Sequence, residues 1–506
     1  MTFVSIAYLL LLPLTFVLCR VALRRTVAGQ NVLLLAASYV FYGWWDWRFL
    51  GLLAGLTLTS WACALPRTRR RMWAGVNVAV CIAALIAFKY AGFFAENLRW
   101  LFENFGWEMD WFTVEVLLPV GLSFYALQAI SYSVDVASGR IEPERNLVTM
   151  ALYISFFPQL VAGPIEQATS LLPQLKAPRA FDYGQAVEGM RRIVWGFFKK
   201  VVVADGVAVW VDHVYNFYDL YDGVTVPFYF AGAAMLFAIQ IYADFSGYSD
   251  IAIGSAQLLG IRLTDNFLFP FFSRNGRELW SRWHRSLYIW LRTYVYIPLG
   301  GSRRGNRYVH VMIVFMLSGL WHGAAWTFVA WGVLCGLWVC LSTRLHPGKT
   351  DMSPATAADL PACVTTTMIF ATVFIFFRSA SIAAAGVFAW YALPGLLLAW
   401  AALWTAARVL GRSRVARIAA LAAVGIAYCG ALILYPSHTV VTTLRMIPLI
   451  AIPVMLWVEW CSRTTTFGLG RISRRRGVRA TIYLVIGWLV VTGAAYAGSS
   501  FIYSKF

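Results

Sequence analysis

Apolar runs separated by short polar segments extend over the whole chain. A helix rises about 1.5 Å per residue, so roughly 20 apolar residues are needed to cross about 30 Å of hydrocarbon. Candidate runs lie near residues 3–23, 31–45, 49–65, 73–95, 114–138, 147–163, 194–212, 226–258, 309–342, 364–378, 387–407, 416–435, 444–460 and 480–500. This pattern predicts a polytopic membrane protein.

Three of these runs do not fit a single straight crossing. The run 309–342 is too long, whereas 31–45 and 364–378 are short enough to be partial or re-entrant helices. Such helices are tolerated at membrane depth where protein buries their backbone. We therefore predict an all-α fold of about 11 transmembrane helices, with additional re-entrant or interfacial helices.

Composition agrees with this class and indicates one domain. The chain is 60% hydrophobic and 13% charged, whereas soluble domains are about 45–50% apolar and about 25% charged. No polar block is long enough to fold alone. We predict a single membrane domain over residues 1–506, with a motif-rich core at about 114–345 and C-terminal helices and a tail at 364–506.

The formal net charge of +19 gives information about the orientation of the chain in the membrane rather than about its ligands. The basic residues lie in short loops between apolar runs, where the positive-inside rule places cytoplasmic loops. No basic surface domain exists that could bind nucleic acid. With these loops inside, the N-terminus and the C-terminus are both predicted to lie outside.

The segment 271–308 combines many arginines with tryptophans and tyrosines, and it is too charged for a simple crossing. Such residues favour the headgroup zone, which predicts an interfacial or re-entrant helix. A cytoplasmic anchor without chemistry would use the same residue types.

Two histidines are the main candidates for chemistry. His322 lies inside an apolar run, where an ionisable side chain is costly and therefore suggests function. Imidazole titrates near neutral pH and can take a proton from a hydroxyl group. A hydrogen-bonded packing role for His322 is the alternative. His284, in the basic segment, is a second candidate base or an interfacial histidine.

Polar residues also interrupt the apolar run 226–258. The stretch 243–250 contains Asp244, Ser246 and Asp250, which either line a cavity or cap a broken helix. HExxH, a glycine-rich phosphate loop and GxSxG are absent from the sequence. We therefore expect no metal and no bound cofactor.

At this point several motifs resemble one known family. The runs Glu278–Gly301 and Leu317–Gly323, with shorter stretches at 118–125, 155–165 and 244–250, are similar to the membrane-bound O-acyltransferase (MBOAT) family. The likeness is strongest to its bacterial alginate O-acetyltransferase branch. Thr293, which follows Arg292, departs from the pattern, because an aspartate is expected there.

The resemblance implies a central tunnel with a cytoplasmic donor side and an outer acceptor side, in a bacterial inner membrane. It implies that His322 is the essential catalytic histidine and His284 the second one. The acyl donor would be acetyl-CoA or another thioester. The acceptor would be an extracytoplasmic polysaccharide, such as an alginate-like polymer, cellulose or peptidoglycan. A periplasmic acetyltransferase is the expected partner protein. Residues predicted to line the tunnel or contact substrate are Trp321, Asp244, Ser246, Asp250, Trp283, Arg282 and Arg292.

The C-terminal tail carries one more candidate. Phe501, Ile502 and Tyr503 are similar to a C-terminal motif of this branch in which the tyrosine is a proposed acyl carrier. A tyrosine hydroxyl near a histidine base can accept an acyl group and pass it on. An interfacial aromatic anchor is the alternative for Tyr503.

Other functions remain open on the residues alone. A transporter or flippase for a lipid-linked saccharide would also have many spans and interior polar residues. D-alanyl-type transfer to an envelope polymer and a non-catalytic subunit of an export complex are further alternatives. The histidine motifs favour the O-acyltransferase.

Overall fold

The computed structural model describes residues 1–23, 26–106, 117–161, 163–220, 223–348, 350–410, 447–473 and 475–494. Within these ranges every regular element is a helix, which confirms the all-α prediction. The predicted run 416–435 and the C-terminal tail lie outside the described residues.

Twenty α-helices are described, and we number them in chain order. They are α1 Ile6–Val17, α2 Val27–Asp46, α3 Leu50–Ala64, α4 Arg70–Leu85, α5 Ala91–Asn104, α6 Leu122–Ala137, α7 Leu147–Ser155, α8 Phe157–Leu160, α9 Ala168–Lys176, α10 Tyr183–Phe197, α11 Asp205–Asn216, α12 Val226–Leu258, α13 Gly276–Arg282, α14 Arg285–Leu291, α15 Arg307–His322, α16 Trp326–Leu345, α17 Leu360–Arg378, α18 Ile382–Leu410, α19 Ile447–Ser462 and α20 Arg476–Ala494. π-Helical turns extend several of them, at Leu18–Ala22, Ile86–Tyr90, Phe198–Ala204 and Arg292–Tyr296.

Five helical stretches in the described part of the chain are long and apolar enough to cross a membrane. They are Arg70–Asn104, Val226–Leu258, Trp326–Leu345, Ala357–Arg378 and Ile382–Val409. Ile6–Ala22 and Ile447–Ser462 are shorter apolar helices. The protein is thus a multi-pass membrane protein, while the predicted number of about 11 crossings stays a prediction.

The two short apolar runs belong to longer helices than the pattern indicated. The run 31–45 lies in the 20-residue helix α2, and 364–378 lies in the 19-residue helix α17. In α2 the polar residues at the helix start are buried and hydrogen bonded. Gln30 donates to the Cys19 and Leu23 carbonyls, and Asn31 donates to the Leu175 carbonyl. Polar side chains satisfied in this way can extend a helix beyond its apolar run.

The long run 309–342 divides into α15 and α16 around Gly323, as its length predicted. Glycines let the two helices approach closely. A Cβ atom on Gly319 would lie 2.3 Å from the Phe328 carbonyl oxygen, and one on Gly332 would lie 2.5 Å from that of Phe315. The break therefore places His322 at the end of α15, against the start of α16.

The run 226–258 forms one unbroken helix of 33 residues, α12. Its polar stretch therefore does not cap a broken helix, and that alternative was wrong. α10 packs along α12 at paired glycines. Gly189 faces Gly254 and Gly196 faces Gly247, so closely that a Cβ on any of them would meet backbone atoms of the opposite helix.

The basic segment 271–308 contains α13, α14 and a π-helical turn, none long enough to cross a membrane. Its tryptophans Trp280, Trp283 and Trp290 are buried against other helices. An interfacial anchor would expose such rings to lipid headgroups. Burial in protein fits a re-entrant segment better.

Candidate functional site

His322 is the last residue of α15, where the chain leaves the helix through the extended Gly323. Its side chain is buried, with 5% of the residue exposed. The ring is surrounded by aromatic rings, with centroids 5.1 Å from Trp331 and 5.4 Å from Phe377. These two rings come from α16 and α17, so three helices shape its surroundings.

Lys89 and Tyr90 hold the end of the helix that carries His322. Lys89 Nζ donates to the Trp321 carbonyl and, at 3.1 Å, to the His322 carbonyl. Tyr90 donates its hydroxyl to the Leu320 carbonyl at 2.8 Å. The last carbonyls of a helix lack partners within the helix, and a cation is favourable there.

Sequence reasoning missed Lys89, although a usable signal was present. It is a lone cation within the apolar run 73–95, and charges in such positions are expensive. The criterion that singled out His322 would have singled out Lys89 as well.

His284 lies between α13 and α14 and has a left-handed backbone, with φ of 44°. Only 3% of this residue is exposed. Its ring packs edge-on against Phe245 at 4.6 Å, and its centroid lies 5.8 Å from Trp321 and 6.5 Å from His322. The structure thus brings the two predicted histidines together.

Both histidines line one cavity of about 340 Å³. Its inner part is buried and largely aromatic, and includes Trp280 and Trp283. Its outer part contains the exposed residues Arg292 and Arg307. Further lining residues are Arg277, Leu287, Tyr288, Leu291, Tyr296, Ser302, Tyr308, Val311, Val314, Phe315, Ser318, Val339, Thr343, Gly348 and Thr350. The cavity joins a basic, exposed mouth to a buried histidine pair.

The predicted tunnel residues of the basic segment and of α15 differ in their relation to the cavity. Trp283 and Arg292 line it, whereas Trp321 does not line it but contacts both histidine rings. Arg282 is not among the lining residues. It forms an ion pair with Glu278 at 2.7 Å and donates to the Ser353 carbonyl at 2.8 Å, which ties the segment to a later loop.

The predicted residues of α12 lie elsewhere, in a buried layer of charges against α10 and the π-helical turn after it. Asp250 pairs with Lys199 at 2.7 Å, and Lys200 pairs with both Asp244 and Asp205. Ser246 and Asp250 line a second cavity of only about 10 Å³, apart from the histidine cavity.

Tyr503, the predicted acyl carrier, lies outside the described residues. Among the residues that are described, no group of three or more histidines, cysteines and carboxylates is arranged to hold a metal ion.

Comparison with known proteins gives a family and several relatives. The model of the membrane-bound O-acyltransferase family matches residues 108–381, which is more than half of the chain. The probable alginate O-acetylase of Pseudomonas putida is 40% identical over 325 residues, 62% of this chain and 66% of the relative. That of Azotobacter vinelandii is 38% identical over 340 residues, 65% of this chain and 66% of the relative.

The name of a third relative refers to a different polymer. The peptidoglycan O-acetyltransferase of Helicobacter pylori is 31% identical over 387 residues, 70% of this chain and 71% of the relative. The chain spans just under two thirds of the two alginate O-acetylases, 66% of each.

Proposed function

The chain belongs to the membrane-bound O-acyltransferase family, and from that premise we propose that it transfers an acyl group, in the first place acetyl. The donor is a cytoplasmic thioester, and the final acceptor is a hydroxyl group of an envelope polysaccharide outside the inner membrane. The observation that carries the proposal is the cavity that joins a basic mouth to His284 and His322.

The mouth of the cavity suits a phosphorylated thioester such as acetyl-CoA. Arg277, Arg292 and Arg307 line it, and guanidinium groups bind phosphate oxygens through paired hydrogen bonds. Arg277 donates to the carbonyls of His346 at 2.8 Å and Gly348 at 2.7 Å, which holds its side chain at the rim. Arg292 and Arg307 are exposed and accessible to an entering donor.

The inner end supplies the chemistry. His322 takes the proton of the attacking hydroxyl as the new carbon–oxygen bond forms. The carbon–sulfur bond of the thioester then breaks, and the departing sulfur receives the proton from His322. The surrounding rings of Trp331 and Phe377 exclude water, which would otherwise hydrolyse the thioester.

The names of the relatives support a proposal for the acceptor. Alginate and peptidoglycan appear in their names, and we propose a polysaccharide of this kind, alginate-like, cellulose or peptidoglycan. In this scheme the hydroxyl of Tyr503 takes the acyl group first, and a periplasmic acetyltransferase moves it to the polymer. Mass spectrometry of the C-terminal peptide tests this step, and full activity of Tyr503→Phe would exclude it.

The test of the main proposal is the O-acetyl content of the exported polymer in cells carrying His322→Ala. We expect a loss of at least about 100-fold, the size typical of a missing general base. The matched control is His213→Ala, an exposed histidine of α11 outside the cavity. Undiminished acetylation in His322→Ala, at equal protein levels, excludes the catalytic role and favours a transporter or export subunit.

A further inference from the structure

Asn266 is a buried asparagine in the loop after α12, and its side chain contacts the turn that carries His284. Only 1% of the residue is exposed. Its Oδ1 lies 3.2 Å from His284 Nδ1, 3.2 Å from the Ser286 backbone nitrogen and 2.9 Å from Ser286 Oγ. Its Nδ2 donates to Ser249 Oγ at 3.1 Å. All of its side-chain polar atoms therefore have partners.

These contacts determine which way the amide points. A backbone N–H can only donate, so the atom of Asn266 that faces Ser286 N must be the carbonyl oxygen. The same oxygen faces His284 Nδ1. Because an amide oxygen only accepts, Nδ1 must carry the proton of that hydrogen bond.

The other ring nitrogen of His284 follows from this assignment. A neutral imidazole with a proton on Nδ1 has a lone pair on Nε2. Aromatic rings of Phe124, Phe245 and Trp321 surround the ring, and such surroundings oppose a second proton. Among the described residues Nε2 has no hydrogen-bond partner, although it is buried.

Asn266 also supports the backbone at this point. Its carbonyl accepts from the Arg285 N–H at 2.9 Å, and its Oδ1 serves the N–H of Ser286 in the first turn of α14. An N-cap side chain usually satisfies such a group from within the helix, but His284 occupies the N-cap position and makes no such bond. A left-handed non-glycine residue persists only where its surroundings hold it.

We propose that Asn266 is a positioning residue that fixes His284, a residue lining the cavity, as the Nδ1–H tautomer, so that Nε2 is left as a hydrogen-bond acceptor. What this tautomer means for the reaction rests on the proposed acyltransferase function. His284 cannot donate to the carbonyl oxygen of a thioester. It instead accepts a hydrogen bond from the leaving thiol, once His322 has protonated the sulfur.

The spacing of the two histidines agrees with this division of roles. Their ring centroids are 6.5 Å apart, and a direct hydrogen bond requires donor and acceptor atoms at about 3 Å. The rings are too far apart for that bond, so the two histidines act on a substrate as separate groups. His322 moves the proton from the attacking hydroxyl to the sulfur, and His284 accepts a hydrogen bond from the resulting thiol.

The direct test is nuclear magnetic resonance of the full chain in nanodiscs, with 15N-labelled histidine. The chain has six histidines, and comparison with His284→Gln assigns the signals of His284. We expect a protonated Nδ1 and a lone pair on Nε2 in the unaltered protein, and a mixture of tautomers in Asn266→Ala. A proton on Nε2 in the unaltered protein overturns the proposal. This measurement needs no enzymatic activity, so its result does not depend on whether the proposed function is correct.

A double-mutant cycle separates positioning from general stability. Asn266→Ala should lower acetylation per folded molecule at least about tenfold, since losing the partner that sets a tautomer cost far more in a serine protease triad. In a His284→Ala background the same change should have little further effect. An equal loss in both backgrounds contradicts a role through His284.

Two further variants complete this test. Asn266→Asp keeps an acceptor for Nδ1 and Ser286, and should retain more activity than Asn266→Ala. Asn77→Ala removes a buried asparagine whose Nδ2 donates to the Ala129 carbonyl at 3.2 Å and to Ser133 Oγ at 2.8 Å, in another part of the fold. We expect it to keep its activity per folded molecule. If Asn266→Ala does not fold, the spectrum of the unaltered protein still decides.

Discussion

Two regions of this protein bury polar side chains among apolar ones, and the consequences differ. In the buried charged layer beside α12, Lys200 pairs with Asp244 and Asp205, and the cavity at the neighbouring Lys199–Asp250 pair is only about 10 Å³. In the histidine cavity about 340 Å³ of space lies beside His284 and His322. Paired charges without space stabilise packing, whereas polar groups facing space can bind and react.

The sequence alone could not separate these regions. His322 and the carboxylates Asp244 and Asp250 all appear as ionisable residues in apolar runs, and the same argument singled them out. What distinguishes them is the distance to an opposite charge and the volume left beside the group, which depend on helices far apart in the chain. Each of the following predictions tests that distinction, from the largest expected effect to the smallest.

Lys200→Ala should destabilise the protein most, by about 3–5 kcal/mol, because it leaves buried carboxylates without their cation. Lys200 is buried and lies 2.7 Å from Asp205. Thermal unfolding in detergent measures the loss, and acetylation should fall only as far as folded protein does. The matched control is Arg99→Ala, since both members of the Arg99–Glu103 pair are more than half-exposed and surface pairs contribute about 1 kcal/mol or less. A Lys200→Ala protein that is stable but inactive would show that the charged layer takes part in the reaction.

Gly247→Ala should cost about 1–3 kcal/mol, the usual penalty for overpacking. A Cβ on Gly247 would lie 2.8 Å from the Gly196 carbonyl oxygen and 3.0 Å from the Lys200 backbone nitrogen, and backbone atoms cannot move aside cheaply. Gly232→Ala, in the same helix but with nothing near its Cβ position, serves as the control. Thermal unfolding compares the two, and equal stability of both variants would show that close packing does not support the charged layer.

The extent of sequence-based prediction differs between these regions as well. The α-helical class and a division of the run 309–342 followed from run length, because backbone hydrogen bonds inside a bilayer leave few choices. The lining role expected for Arg282 did not follow, since Glu278 four residues before it takes up its charge. Asn266 gave no signal, because an asparagine in a polar loop is ordinary until its partner is known. Long-range partners decide which polar residues face the cavity.

Lys89→Met should lower acetylation about tenfold while changing stability less than Lys200→Ala does. The change removes the cation from the end of α15 and leaves the Trp321 and His322 carbonyls without this donor, so the helix end that carries His322 loosens. A graded control is Tyr90→Phe, which removes only the hydrogen bond to the Leu320 carbonyl. Acetylation per folded molecule should decrease from the unaltered protein through Tyr90→Phe to Lys89→Met. The reverse order would contradict a role through the end of α15.

The smallest effect is expected at the mouth of the cavity, for Arg292→Ala. Arg292 is exposed and lines the mouth, so a contact with the phosphate of the proposed donor would be screened by water and salt. If this contact is equally strong before and during the reaction, its loss raises KM without changing kcat. With acetyl-CoA and membrane vesicles we expect KM to rise several-fold, less at high salt. Arg303→Ala, exposed in the same segment but not lining the cavity, should leave KM unchanged. A fall in kcat at constant KM would instead indicate that Arg292 contacts the reacting atoms. The cavity would then not be divided into a mouth that binds and an inner end that reacts.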